Sequence, residues 1–229
     1  YGAGTFTGSN DVIRGVTKTF AGLAGLVFML LMISQFIAYF NYSNLPSVIA
    51  VTLAGAFEND PLWGWAFPER SGMEAWWRLF AGSALRYPFT RIAGDFDAVA
   101  IWIPPDGIEL TEADEAAIGP LLEEHLGPRA AEVADLVDRF EEHHPETPHF
   151  YLSLLGTRPA SRGRGIGMAL LAECLEDVDA AGAPAYLESS NPDNNPRYER
   201  HGFKALGGFS RPDDGSFATT MWREPAPVS

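Results

Sequence analysis

Charge is missing from a long stretch near the start of this 229-residue chain: no Asp, Glu, Lys or Arg lies between Lys18 and Glu58. Cysteine is nearly absent too, with Cys174 alone. One thiol excludes a disulfide framework and a zinc–cysteine cluster. Its place in a helical pattern makes Cys174 a small core residue. Positive charge is scarce beyond the gap. Residues 1–57 carry Asp11, Arg14 and Lys18, a net of +1, whereas residues 58–229 carry 14 basic and 29 acidic residues, a net of −15. Such a surface repels phosphate backbones and speaks against a nucleic-acid partner. His143, His144 and His149 show no metal-ligand spacing with a third group, so no metal is expected and they read as surface or loop histidines. The near-zero mean hydropathy averages two unlike pieces.

The uncharged piece contains FAGLAGLVFMLLMISQFIAYF at positions 20–40, where Ser34 and Gln35 are the only strongly polar residues. A helix needs ~20 apolar residues to cross a bilayer core of ~30 Å, so a transmembrane helix is predicted over 20–40. Ala21, Gly22 and Gly25 give it a small packing face. Phe36, Tyr39, Phe40 and Tyr42 cluster at one end like an interfacial belt. The run is too long for a signal-peptide core, and no A-x-A-like site closes it. A second apolar run, Leu45–Phe57, is too short to span and reads as a re-entrant piece or the start of the next element. Two strings, Asn10-Asp11-Val12-Ile13-Arg14-Gly15 and Gln35-Phe36-Ile37-Ala38-Tyr39-Phe40-Asn41-Tyr42-Ser43-Asn44-Leu45, make residues 2–50 similar to part of the p-aminobenzoyl-glutamate transporter family (AbgT type). Alternating access needs paired repeats around a midplane site. One helix cannot supply them, so transport by this chain is not expected.

From residue 57 the pattern is that of an α/β domain. Helices are predicted over 73–86 and 129–141. Thr111 and Asp114 form a capping box that opens an acidic helix. Strands are predicted over 98–103, closed by Pro104-Pro105, and over 149–155, 185–189 and 217–222. The acidic residues of the helices read as a solvated face.

The informative stretch runs from Leu152 to Phe203. A strand leads through Gly156-Thr157-Arg158-Pro159-Ala160-Ser161 to Arg162-Gly163-Arg164-Gly165-Ile166-Gly167. A helix follows with Met168, Leu171, Leu175 and Val178 on one face, and Gly182 stops it. A glycine-rich turn from strand to helix offers bare N–H groups at a helix N-terminus, an arrangement suited to a pyrophosphate. Arg162 and Arg164 add local positive charge. The spacing fits neither a dinucleotide fingerprint nor a P-loop, since no Gly-Lys-Ser/Thr follows; a plain connecting loop is the alternative.

Arg162-x-x-Gly165-x-Gly167 resembles motif A of the GNAT acetyltransferase superfamily. Asn191-Pro192-Asp193-Asn194-Asn195-Pro196-Arg197-Tyr198-Glu199-Arg200-His201-Gly202-Phe203 resembles its motif B. Tyr186-Leu187-Glu188-Ser189-Ser190 with Tyr198-Glu199-Arg200 is similar to the branch that includes puromycin N-acetyltransferase. Ala56-Phe57-Glu58-Asn59-Asp60-Pro61 and Ala100-Ile101-Trp102-Ile103-Pro104-Pro105 fit that branch. The resemblance covers about residues 53–224. It implies the GNAT acyl-CoA N-acyltransferase fold: a mixed central sheet with two splayed parallel strands, here 149–155 and 185–189, and flanking helices. It also implies direct acetyl transfer from acetyl-CoA, as cosubstrate, to the primary amine of a small molecule.

By the same resemblance Leu155, Gly156 and Thr157 touch the pantetheine, on a strand that usually bulges. Gly163, Arg164, Gly165, Ile166, Gly167 and Met168 cradle the pyrophosphate together with Arg162, and Asn194 holds the CoA arm. Tyr198 matches the general acid, and a phenol near pKa 10 suits return of a proton to a thiolate; otherwise it is a packing tyrosine. Glu188, central on a buried strand, is the candidate base or amine-orienting carboxylate, the alternative being a structural ion pair. Glu58 and Asp60 are weaker acceptor-site candidates, and Asn59-Asp60-Pro61 also reads as a turn. Trp63, Trp65, Trp76 and Trp77 line an acceptor pocket or pack helices.

The expected organisation is a transporter-like segment, 1–52, and an acetyltransferase domain, 53–229. The domain's usual first strand is missing, with 48–52 as a stand-in. Where the branch often has an aromatic, this chain has Arg197. The positive-inside rule puts Arg14 and Lys18 in the cytoplasm, so one crossing would carry residues 58–229 away from acetyl-CoA. The expectation is therefore membrane association through 20–40 with the domain in the cytoplasm, or a cytoplasmic protein if 1–52 are not inserted. The rival reading is a non-catalytic fusion or transporter remnant, its attached domain poorly folded or limited to binding acyl-CoA.

Overall fold

The computed structural model describes residues 9–42, 44–213 and 215–226. They form two compact units, 1–45 and 46–229. The first unit is one long helix, α1 (Ser9–Tyr42). Its polar side chains turn back on the helix: Thr17 donates to the Ile13 carbonyl and Ser34 to that of Leu31, both at 2.9 Å. Leu23, Leu26, Phe28, Leu30 and Ile33 are all exposed.

The crossing expected over 20–40 is not supported, because among the described residues no helix is long and apolar enough to cross a membrane. The side chains of 20, 21 and 36–40 lie outside the described residues, as does that of Tyr42.

The second unit opens with helix α2 (Leu45–Phe57), so positions 48–52 are helical and do not stand in for a strand. Ile49, Ala50, Thr52, Leu53 and Ala54 are buried, which overrides the strand preference of a β-branched run. The short α3 (Trp63–Ala66) and α4 (Arg70–Ala84) follow. Then come β1 (Thr90–Ala93), β2 (Ala98–Ile103), α5 (Glu112–Leu126), α6 (Ala130–His143), β3 (Phe150–Thr157), α7 (Ile166–Ala180), β4 (Ala185–Ser189), α8 (Asn195–Glu199), β5 (Lys204–Ser210) and β6 (Phe217–Arg223). The capping box on α5 is formed as expected, with Thr111 and Asp114 bonding each other's backbone.

The six strands make one mixed sheet in the order β1-β2-β3-β4-β6-β5. This is the α/β, GNAT-like architecture that the sequence suggested. All neighbours are antiparallel except β3 and β4, which run parallel and pair only at Phe150–Ala185 and Tyr151–Tyr186. β3 also bulges. Ile101 faces Leu154 and Trp102 faces Leu152, which leaves Ser153 unpaired against β2. Side-chain alternation shifts at that point: Phe150, Leu152 and Leu155 all join the core beneath α7. That core buries Leu171, Cys174, Leu175 and Val178 of α7 against Ala98, Ala100 and Trp102 of β2.

Two close approaches fix the frame. Arg223 of β6 grips Asp179 near the end of α7 with both guanidinium nitrogens, at 2.6 and 2.7 Å. At Gly156 of β3 an added Cβ would lie 2.9 Å from Leu53 Cδ2 and 3.0 Å from Ala56 Cβ, so α2 rests directly on the strand. Gly156→Ala should therefore lower the unfolding free energy by ~1–3 kcal/mol. Gly119→Ala, in a helix with nothing within 4 Å of the new Cβ, should be neutral or stabilising. Urea denaturation of the two variants beside the parent checks this; equal effects would show that α2 does not press on β3.

Candidate active site

Two spaces open where β3 and β4 part. The first is a groove of about 590 Å³ beside the glycine-rich turn. Gly163 and Gly165 both take φ of +76°, a left-handed conformation open to glycine, and Gly165 is the N-cap of α7. No side chain caps this helix, so its first-turn N–H groups are available to an anion. The turn is pinned from below. Arg158 N donates to Asp97 O at 2.8 Å, and Ser161 Oγ donates to Asp97 Oδ1. At Gly167 a Cβ would meet Thr157 Oγ1 at 2.4 Å, so the helix start and the strand end touch without a side chain between them.

Of the residues expected at a cofactor, Leu155, Gly156, Thr157, Arg162, Gly163, Gly165, Ile166, Gly167, Met168 and Asn194 line this groove. Arg164 is exposed and is not among its lining residues. Arg162 has a structural duty as well: its Nη2 donates to the Ala56 carbonyl at 2.6 Å, at the C-terminal end of α2. Arg197 supplies a further cation to the groove and donates to Asn194 Oδ1 at 2.8 Å.

The second space is a cavity of about 120 Å³ on the other side of the parted strands. Trp63, Trp76, Trp77, Phe80 and Phe140 wall it, and Glu109 and Glu188 also line it. The three tryptophans pack against one another and line the cavity at once: the Trp63 and Trp77 ring centres are 4.9 Å apart and edge-on. Trp65 lies elsewhere, between the guanidinium groups of Arg129 and Arg211. Glu58 is exposed and lines neither space.

Glu188, on β4, has a side chain only 2% exposed. Its Oε1 has no hydrogen-bond partner and stands 3.7 Å from His144 Nδ1. His144 and His149 belong to an aromatic cluster with Tyr151 and Tyr186. His149 is buried, so it is not the surface histidine expected. Burial, with the charges of Glu188 and Glu109, holds the Tyr151 phenol well above its ordinary value.

Phe57, Leu155, Asn194 and Tyr198 line both spaces. Burial, then the charge of Asp60, pushes the Tyr198 phenol up to about 12. Asp60 is a turn residue and a site neighbour together. Its Oδ1 accepts from the Leu62 and Trp63 N–H groups at 2.9 and 3.0 Å, and its Oδ2 accepts from Ser190 Oγ at 2.8 Å. Burial raises its pKa, with those hydrogen bonds opposing.

Residues 140–224 match the family model described as the Acetyltransferase (GNAT) domain. That stretch is under half of the chain, and over it the chain is similar to GNAT acetyltransferase domains. The stretch holds β3, the glycine-rich turn, α7, β4 and α8, the elements that frame the groove. The chain is 36% identical over 72 residues to acetyltransferase Atu2258 of Agrobacterium fabrum, covering 31% of this chain and 53% of that protein. It thus spans about half the length of that curated relative. A solved structure described as histone acetyltransferase HPA2 and related acetyltransferase, from Corynebacterium glutamicum, is 28% identical with a TM-score of 0.55. That likeness covers 82% of this chain and 94% of the other. Arylalkylamine N-acetyltransferase 2 of Aedes aegypti shares the fold at 15% identity and a TM-score of 0.55, over 81% of this chain and 96% of that one. The GNAT match begins at residue 140, so the transporter resemblance of residues 2–50 rests on its own strings.

Glu109 and Ser153 escaped sequence reading. Glu109 lies between Gly107 and the cap at Thr111, outside the helices and strands predicted from the sequence. Ser153 Oγ, at the bulge, donates to Glu109 Oε1. The alternation of Tyr151 and Ser153 with Phe150 and Leu152 was the signal available. Burial raises the Glu109 pKa to about 7, against the hydrogen bond from Ser153, and the charge of Glu188 adds to the rise. A carboxyl raised on folding stabilises the fold below its unfolded value, and that contribution is lost as pH climbs through the folded value. Glu109→Gln removes the titration. The stability of the variant relative to the parent should therefore rise from about pH 4.5 to 7 and level off above. Urea midpoints measured across that range give the difference curve, and a flat or falling one contradicts the shift.

Proposed function

We propose that the chain is an acetyl-CoA-dependent N-acetyltransferase acting on the primary amine of a small molecule. One observation carries the reading: the glycine-lined groove and the acidic cavity meet at Leu155, Asn194 and Tyr198, where the two parallel strands part. The groove fits a CoA-type cosubstrate. The uncapped start of α7 suits a pyrophosphate, and bare glycines let that backbone come close. Leu155, Gly156 and Thr157 lie past the last residue pair with β4, so their free edge suits the amide groups of a pantetheine arm. Asn194, Arg162 and Met168 complete the walls. Bound there, acetyl-CoA supplies an activated acyl thioester.

The residues around it hold and move protons. An amine is mostly ammonium at neutral pH and must lose a proton to react. Glu188, with one buried oxygen lacking a donor, is positioned to take it. Tyr198, its phenol pushed up to about 12, stays protonated and serves as donor to the departing thiolate. Holding amine and thioester at one junction supplies much of the acceleration. Residue strings 186–190 and 198–200 favour the puromycin N-acetyltransferase-like branch, with Arg197 as a departure in the groove wall.

In thermal denaturation of the full chain, acetyl-CoA at a hundred times its Kd should stabilise by about 2.7 kcal/mol. Tyr198→Phe should lower kcat ~10²-fold or more while leaving the acetyl-CoA Kd within about threefold. No stabilisation by acetyl-CoA would overturn the reading. Binding without CoA release, unchanged in Tyr198→Phe and Glu188→Gln, would favour an acyl-CoA-binding domain instead.

A further inference from the structure

Resting on the acetyltransferase reading, the geometry points to Glu109 and Glu188 as a paired-carboxylate seat for the acceptor's ammonium. The aromatic walls then restrict the acceptor to an amine whose body is one aromatic ring or a similarly compact apolar group.

Three observations carry this. First, Glu188 is nearly sealed from solvent; the Tyr151 and Tyr186 phenols bond to its carboxylate, while its Oε1 has no donor. A buried carboxylate oxygen left without a donor is costly, so a donor belongs there in the working state. His144 does not supply it, since Nδ1 at 3.7 Å is beyond hydrogen-bond reach. An ammonium brings three donors. Second, the second carboxylate is held in place: Ser153 Oγ, freed at the β3 bulge, donates to Glu109. Third, the lining contains no Lys or Arg. The acceptor's own carboxylate would enter beside Glu109 and Glu188 with no cation to meet it, which disfavours free amino acids. At about 120 Å³ the cavity is somewhat smaller than one of about 150 Å³ that takes up benzene, so a single ring is its natural load.

The test uses the full chain with 2-phenylethylamine and phenylalanine. Binding is read without acetyl-CoA from tryptophan fluorescence, because Trp63, Trp76 and Trp77 wall the cavity. Turnover is read as CoA release. Phenylethylamine should quench the fluorescence and exceed phenylalanine at least 100-fold in kcat/KM. Glu109→Gln and Glu188→Gln should each weaken its binding tenfold or more while leaving the acetyl-CoA Kd within threefold. If acetyl-CoA binds but phenylalanine is used equally well, or neither amine is acetylated, the inference falls and the acetyltransferase reading stands. If acetyl-CoA does not bind, both fall. Amine quenching that both Glu→Gln variants leave unchanged also overturns the seat.

Discussion

The site depends on a failure of pairing. β3 and β4 run side by side for only two residue pairs and then separate. Both strands are held firmly on their outer edges, β3 by β2 over six pairs and β4 by β6 over five. The sheet therefore cannot close the gap by sliding either strand. The bulge at Ser153 adds local twist where β3 leaves its partner. Arg223, gripping Asp179, ties the far side of β4 to the helix under β3. An open strand edge carries polar groups that must be satisfied by water or ligand. The parted strands are thus both the main irregularity of the sheet and the place where a polar arm is best accommodated.

The two spaces at that gap carry opposite electrostatics in one acidic domain. On the groove side the fixed donors are backbone N–H groups of the glycine turn, with Arg162 and Arg197 nearby. On the cavity side the charged groups are carboxylates within aromatic walls. A net charge of −15 over residues 58–229 does not decide either field, because screening limits exposed charges to ~8 Å at physiological salt. Local geometry decides. An anion fits where N–H groups converge, and a cation fits where a buried carboxylate lacks a donor.

The elements were legible where local signals were strong. The strand over 98–103 lies where it was expected, and the capping box at Thr111 and Asp114 marks a real helix start. The glycine turn was legible because few chemistries require that spacing. β1 and β5 were not read. The first is four residues long, and the second carries Gly207 and Gly208 where strand formers belong. The run over 48–52 looks like a strand and is helical, because burial of Ile49, Ala50 and Leu53 outweighs local preference. Glu109 was hidden for another reason. Its meaning comes from a hydrogen bond 44 residues away, made possible by a bulge that no local pattern announces.

Asp60 draws these threads together. Its carboxylate ties the start of α3 to Ser190 at the end of β4, and its charge adds to the burial that keeps the Tyr198 phenol protonated. A phenol raised to about 12 is a poor base near neutral pH and remains available as a donor. In the proposed reaction, the proton leaving the amine therefore has to go elsewhere, and the buried carboxylate on the cavity side that lacks a donor is that of Glu188. Separating the two tasks across the gap follows from what each side holds: a phenol beside a carboxylate on one, carboxylates among indoles on the other.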